Sequence, residues 1–119
     1  MTELKPRDQA DLADIIGSAV TRERPLELVG RGSKRAFGRP MGELPLLDLS
    51  ALTGLRFYEP DELVLRAGAA TGIAEIESML AQSRQQFAFE PPDFGPLLGG
   101  PAEMGTLGGM IACNLAGPR

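Results

Sequence analysis

Histidine and tryptophan are absent from these 119 residues, and cysteine occurs once, at Cys113. Without histidine there is no imidazole for acid–base catalysis, and zinc sites built on His and Cys lose their ligands. One thiol cannot form a disulfide framework or ligate an iron–sulfur cluster. Long apolar runs are missing too: none approaches the ~20 residues of a membrane span. The opening, Met1-Thr2-Glu3-Leu4-Lys5-Pro6-Arg7-Asp8, does not read as a signal peptide. Together with the lone thiol, this sets the expectation of a reducing, cytoplasmic setting.

What is present is ordinary in amount and uneven in distribution. Apolar residues make up 43% and charged residues 24%, a soluble composition with a net charge of −4. The length fits one domain with one small core, burying ~65% of its extended-chain surface. Net acidity argues against nucleic acid as a partner. Yet six of the twelve Lys and Arg residues fall within 22–39, countered there by Glu23 and Glu27 alone. A solvated face explains such a cluster plainly; a seat for an anionic ligand explains it more sharply. With 15 glycines and 10 prolines, the chain must turn often.

Helix signals occur twice. Asp8 can cap a segment in which Leu12, Ile15, Ile16, Ala19 and Val20 recur at helical spacing, and Pro25 stops it. Thr71 can cap a second, with Ile73, Ile76, Met79 and Leu80 on one face. Strand signals lie at 26–29, 46–49, 55–58, 63–67 and 86–89. Glu59-Pro60-Asp61-Glu62 suits a type I turn between the third and fourth of these. The order gives an α+β fold without clean βαβ alternation: a small mixed sheet with two flanking helices. Residues 94–119 carry seven glycines and three prolines but also Leu97, Leu98, Met104, Leu107, Met110, Ile111 and Leu115. Such a stretch expects to be buried rather than solvated.

Two loops could carry chemistry. Gly30-Arg31-Gly32-Ser33-Lys34 directly follows a strand; its glycines let backbone approach a ligand, and its N–H groups, hydroxyl and cations suit a phosphate. An ordinary glycine turn is the bland alternative. The Walker pattern is absent. A Rossmann fingerprint would need glycine at 35, where Arg35 stands, and a helix that Gly38, Pro40 and Gly42 forbid. Asp48, at a strand end where a ribose-binding acid belongs, keeps that reading as an alternative. The second loop, Gly105-Thr106-Leu107-Gly108-Gly109, opens a short run with helical spacing through Met110, Ile111 and Asn114. A helix start there would offer unpaired N–H groups to an anion. The competing reading is a close-packed turn. Taken together, the two loops suggest a clamp on a two-phosphate linker. Cys113, between Ala112 and small neighbours, reads as a small buried hydrophobe.

In order along the chain, these landmarks resemble the FAD-binding subunits of bacterial glycolate oxidases, within the vanillyl-alcohol-oxidase (PCMH-type) FAD-binding fold. The matching residues are Gly30-Arg31-Gly32-Ser33-Lys34, Leu47-Asp48-Leu49-Ser50, Tyr58-Glu59-Pro60 and Phe89-Glu90-Pro91-Pro92-Asp93. Most specific is Gly105-Thr106-Leu107-Gly108-Gly109, continuing through Ala112, Asn114 and Gly117-Pro118-Arg119. Residues 69–72 depart from the Gly-Thr-Pro usual before that helix. The resemblance covers about 4–119.

The resemblance implies that Gly30, Arg31, Gly32, Ser33 and Lys34, with Gly105, Thr106, Leu107, Gly108 and Gly109, bind the FAD pyrophosphate. It implies that Ala112 and Asn114 approach the flavin, held non-covalently since no histidine is available as a tether. The reaction implied is oxidation of a 2-hydroxy acid by hydride transfer to FAD, which performs the redox step itself. Implied partners are a second flavin subunit and an iron–sulfur subunit, in the cytoplasm or peripheral to the inner membrane. Family members continue beyond Gly117-Pro118-Arg119, so residues 1–119 are expected to be a partial PCMH-type domain, inactive alone. Its uncovered 94–119 stretch, with Leu97, Leu98, Leu107, Met110, Ile111 and Leu115, is expected to drive self-association. A subdomain without productive flavin binding is the alternative.

Overall fold

The structure is a computed structural model and describes residues 3–119. Strand β1 (Glu3–Leu4) leads through Pro6, which is fully buried, to Asp8 and helix α1 (Gln9–Thr21). Asp8 is extended at φ −153° and caps α1, its carboxylate accepting the Asp11 N–H at 2.9 Å. No α1 residue is fully buried, and Val20 in the apolar stripe remains exposed.

Strands β2 (Glu27–Val29) and β3 (Leu46–Asp48) follow, joined by the glycine- and proline-rich 30–45 segment. All three strands run parallel in the order β1-β3-β2, with Glu3 and Glu27 both paired to Leu46. Leu47, at the centre of the middle strand, has no solvent exposure at all. Because β1 is only two residues long, its pairing leaves no periodic trace in the sequence. It nevertheless makes β1-α1-β2 a parallel crossover unit, which the sequence reading did not anticipate.

A second, separate sheet is the antiparallel hairpin of β4 (Leu55–Glu59) and β5 (Val64–Ala67). Its turn is a 3-10 helix over Pro60–Glu62, closed by Leu63 in the left-handed region at φ 56°. Tyr58 donates its hydroxyl hydrogen to Gln85, whose amide donates in turn to the Pro60 carbonyl at 2.8 Å. These bonds tie the hairpin to the end of helix α2 (Ile73–Gln82). The core is small: Leu47, Ala70, Ile76, Leu80 and Met110, with Thr71 and Thr106 buried among them.

The α+β class holds, with the parallel and antiparallel pairings divided between two sheets and a third helix, α3 (Leu107–Ala112), joining the expected two. Two local expectations fail. Residues 86–89 form no strand; Phe87 and Phe89 stack at 5.0 Å, and Glu90 alone pairs, with Gly117. Pro91 and Pro92 have no N–H to continue a ladder beyond it. Gly72, not Thr71, is the N-cap of α2. The Thr71 hydroxyl is spent on the Gly54 N–H, 3.0 Å away.

Candidate functional site

The end of β2 fixes where the first loop begins. The Leu49 N–H donates to the Val29 carbonyl at 2.8 Å, and the chain leaves the sheet at Gly30. Among the described residues, no hydrogen bond engages the N–H groups of Gly30, Arg31, Gly32, Ser33 or Lys34. Gly32 turns the loop at φ 72°, a conformation open to glycine at little cost. Arg35 is neutralised by Glu27 through a two-pronged pair at 2.9 and 3.1 Å. Among the described residues, Arg31, Lys34 and Arg39 have no carboxylate partner. The basic cluster is therefore partly solvated pairing and partly uncompensated charge around one loop.

The second loop packs against the first. A methyl group on Gly30 would stand 3.2 Å from the Thr106 hydroxyl oxygen, so the two loops touch there. Thr106 is extended and caps α3, its Oγ1 accepting the Gly109 N–H at 3.1 Å. Leu107 N–H donates to the Thr71 carbonyl at 2.9 Å and Gly108 N–H to the Ala69 carbonyl at 2.7 Å. The N–H groups expected to be free at this helix start are thus already engaged. A methyl on Gly108 would lie 2.8 Å from the Ala69 methyl, which explains the glycine by close packing. The second loop contributes a bare surface; the unengaged donors belong to the first.

Between the loops lies an open pocket of about 380 Å³. Gly30, Arg31, Gly32, Ser33 and Lys34 line it, as do Thr106, Gly108, Gly109 and Ala112. Gly105 lines a smaller neighbouring pocket of about 80 Å³ that shares Lys34 and Thr106. Leu107 and Asn114 line neither. Asn114 instead sits at φ 52° and ends α3. Sequence reasoning missed the third wall, Ala69 and Ala70, and the apolar rim of Leu28, Phe37 and Met41. Gly68 and Gly72, bracketing 69–71, were the available signal for that wall. Cys113 is not buried: its thiol is free, exposed and on the pocket wall.

Asp48 serves structure. Burial pushes its carboxyl up, but bonds from Ser50 and the Lys5 ammonium outweigh this and hold it below the usual carboxylate range. The Ser50 N–H lies 2.8 Å and the Lys5 Nζ 3.4 Å from its oxygens. With no helix over 30–45 either, the Rossmann alternative is removed.

Unengaged donors, uncompensated cations and backbone bare of side chains make a seat suited to a charged, bulky phosphate group. Comparison with known proteins supplies the family. The FAD-binding domain family matches residues 3–119. This chain belongs to that family. It is also 38% identical over 109 residues to glycolate oxidase subunit GlcE of Escherichia coli (strain K12). That match takes in 91% of this chain and 29% of the relative's own length. FAD is accordingly the cofactor of this domain, and the small α+β architecture, three α-helices and two small sheets among the described residues, is consistent with that family. Among the described residues, no helix is long and apolar enough to cross a membrane.

Proposed function

We propose that residues 1–119 form the pyrophosphate-binding part of a PCMH-type domain in a glycolate-oxidase-type flavoprotein, holding FAD without a covalent tether. The carrying observation is the run of five unengaged N–H groups, Gly30 through Lys34, on a pocket beside Arg31, Lys34 and Arg39. Successive free N–H groups on a glycine loop suit a pyrophosphate, and Ser33 adds a hydroxyl donor. Gly108 and Gly109 leave the opposite wall flat, while Thr106 holds that wall against Gly30. Gly105 and Leu107 act through backbone placement, the first accepting from the Ile73 N–H and the second donating to Thr71. Ala112 extends the wall toward the flavin, and Asn114 sets where α3 stops.

When bound, FAD supplies two-electron chemistry: a 2-hydroxy acid loses a hydride and a proton and becomes a 2-oxo acid. The residues here bind and orient; since they match only 29% of the relative's length, substrate contacts on this reading fall outside them, and 1–119 alone is taken as inactive. The relative is named as one subunit of a glycolate oxidase; on the present reading this domain likewise works within a complex, beside a second flavin subunit and an iron–sulfur subunit, in the cytoplasm or at the inner membrane's surface.

Titration of FAD followed by quenching of flavin fluorescence tests the site. FAD binds, and ADP and inorganic pyrophosphate displace it. Tight FAD binding that neither ADP nor pyrophosphate disturbs would place the cofactor elsewhere and sink the reading.

A further inference from the structure

Gly72 is a glycine without a backbone reason. Its φ of −66° and ψ of 139° are open to any L-residue. What occupies the space of its missing side chain is Arg31. A methyl there would stand 2.7 Å from Nη1, 3.1 Å from Nη2 and 3.2 Å from Cζ of the Arg31 guanidinium. Those three are the nearest atoms, and all belong to one flexible cation. Arg31 therefore reaches from the first loop across the seam to the 69–72 segment, which itself pairs with the second loop through Gly72 and Thr106. The guanidinium is a cation on the pocket wall with no carboxylate partner among the described residues.

We propose that Gly72 is a positioning residue for the pocket's anion site: its bare Cα seats the Arg31 guanidinium, and that seat sets the affinity for a diphosphate. The proposal rests on the pyrophosphate reading above and adds a residue outside the pocket to it. The physical logic is preorganisation. A surface arginine left free samples many rotamers, and confining it beforehand removes that cost from binding. Among the described residues Arg31 has no ion pair to confine it, so the space left open over Gly72 does so. Because the guanidinium can swing away, alanine at 72 is sterically cheap for the fold; it removes a glycine from the unfolded chain's freedom as well.

The test is a double-mutant cycle in the purified chain, with FAD and ADP as probes and melting temperature measured alongside. Gly72→Ala and Arg31→Met each weaken both ligands about tenfold, the scale of one charge-assisted contact. The double variant is no weaker than Arg31→Met alone, since the two changes remove one interaction. Both single variants also show a shallower loss of affinity with added salt. Gly72→Ala keeps or raises the melting temperature. Additive losses in the cycle, unchanged affinity in Gly72→Ala, or a Gly72→Ala chain that fails to fold would each overturn the proposal. A parent chain that binds neither FAD nor ADP instead removes the pyrophosphate reading, and this proposal with it.

Discussion

At the scale of single residues, the same substitution has opposite signs depending on what stands nearby. Gly17 lies inside α1 with nothing within 4 Å of a methyl group, so Gly17→Ala raises stability by about 0.5–1 kcal/mol. A methyl group on Gly68 would run into the Leu52 backbone carbonyl, its carbon at 2.8 Å, and backbone cannot step aside as the Arg31 side chain can. Gly68→Ala costs about 1–3 kcal/mol, the scale of overpacking; urea midpoints of the two variants separate in opposite directions from the parent. Asp48 gives a pH dependence. Its folded-state carboxyl titrates below the ordinary value, so its stabilisation is full above the unfolded pKa, about 4. It is lost as pH falls through the lowered folded value. Asp48→Asn therefore flattens the acid limb of the stability curve below about pH 4, read by denaturant midpoints across pH. Cys113 is free and exposed on the pocket wall, so the expected outcome is uptake of one iodoacetamide in the native state, checked by mass spectrometry.

At the scale of elements, all three α-helices end in one way. After α1, Glu23 is left-handed at φ 51°, and Arg24 N–H reaches back to Ala19 at 2.9 Å. Arg84 at φ 54° and Asn114 at φ 52° repeat the arrangement after α2 and α3, with Gln85 bonded to Leu80 and Leu115 to Met110. These are Schellman ends built without glycine, and an L-residue there costs roughly 1 kcal/mol. Arg84→Gly consequently raises stability by about 0.5–1 kcal/mol, measured by thermal unfolding. Thr106→Val tests the opposite end of α3. It removes the acceptor for the Gly109 N–H and costs about 0.5–2 kcal/mol, and it loosens the contact with Gly30.

At the scale of the molecule, the chain is spread thin. Its radius of gyration is 15.7 Å, against ~13.5 Å for a compact domain of this length, and its extents are 47 × 33 × 20 Å. Large apolar side chains remain on the surface: Leu28, Phe37 and Met41 at the pocket, Leu63 and Val64 on the hairpin. In 94–119 the exposure is narrower than its composition suggests. Leu97 and Ile111 are exposed, Met110 is buried, and Leu98, Leu107 and Leu115 are half-covered. Self-association at micromolar concentration is the expected outcome, checked by light scattering, with Leu97→Ser and Ile111→Ser together expected to weaken it only in part. Phe37→Ser, which also breaks the 6.3 Å stack on Phe94, weakens it further.

Local chemistry was enough to read Asp8 as a cap, the β2 and β3 strands, the hairpin around Pro60 and the two glycine loops. Each depends on residues within a few positions of one another, where spacing, φ preference and turn chemistry act directly. Family resemblance in the same residues gave FAD. What sequence spacing could not carry was anything set across the chain. The two residues of β1 pair only because β3 lies beside them. The Thr71 hydroxyl is taken by the Gly54 N–H instead of the α2 cap, and the donors of α3 are consumed by Ala69 and Thr71 from 39 and 36 residues earlier. Gly72 reads as an ordinary helix start until the fold lays Arg31 over it. Hydrogen-bond satisfaction and close packing are decided by which groups meet in space, and that is a property of the tertiary structure alone.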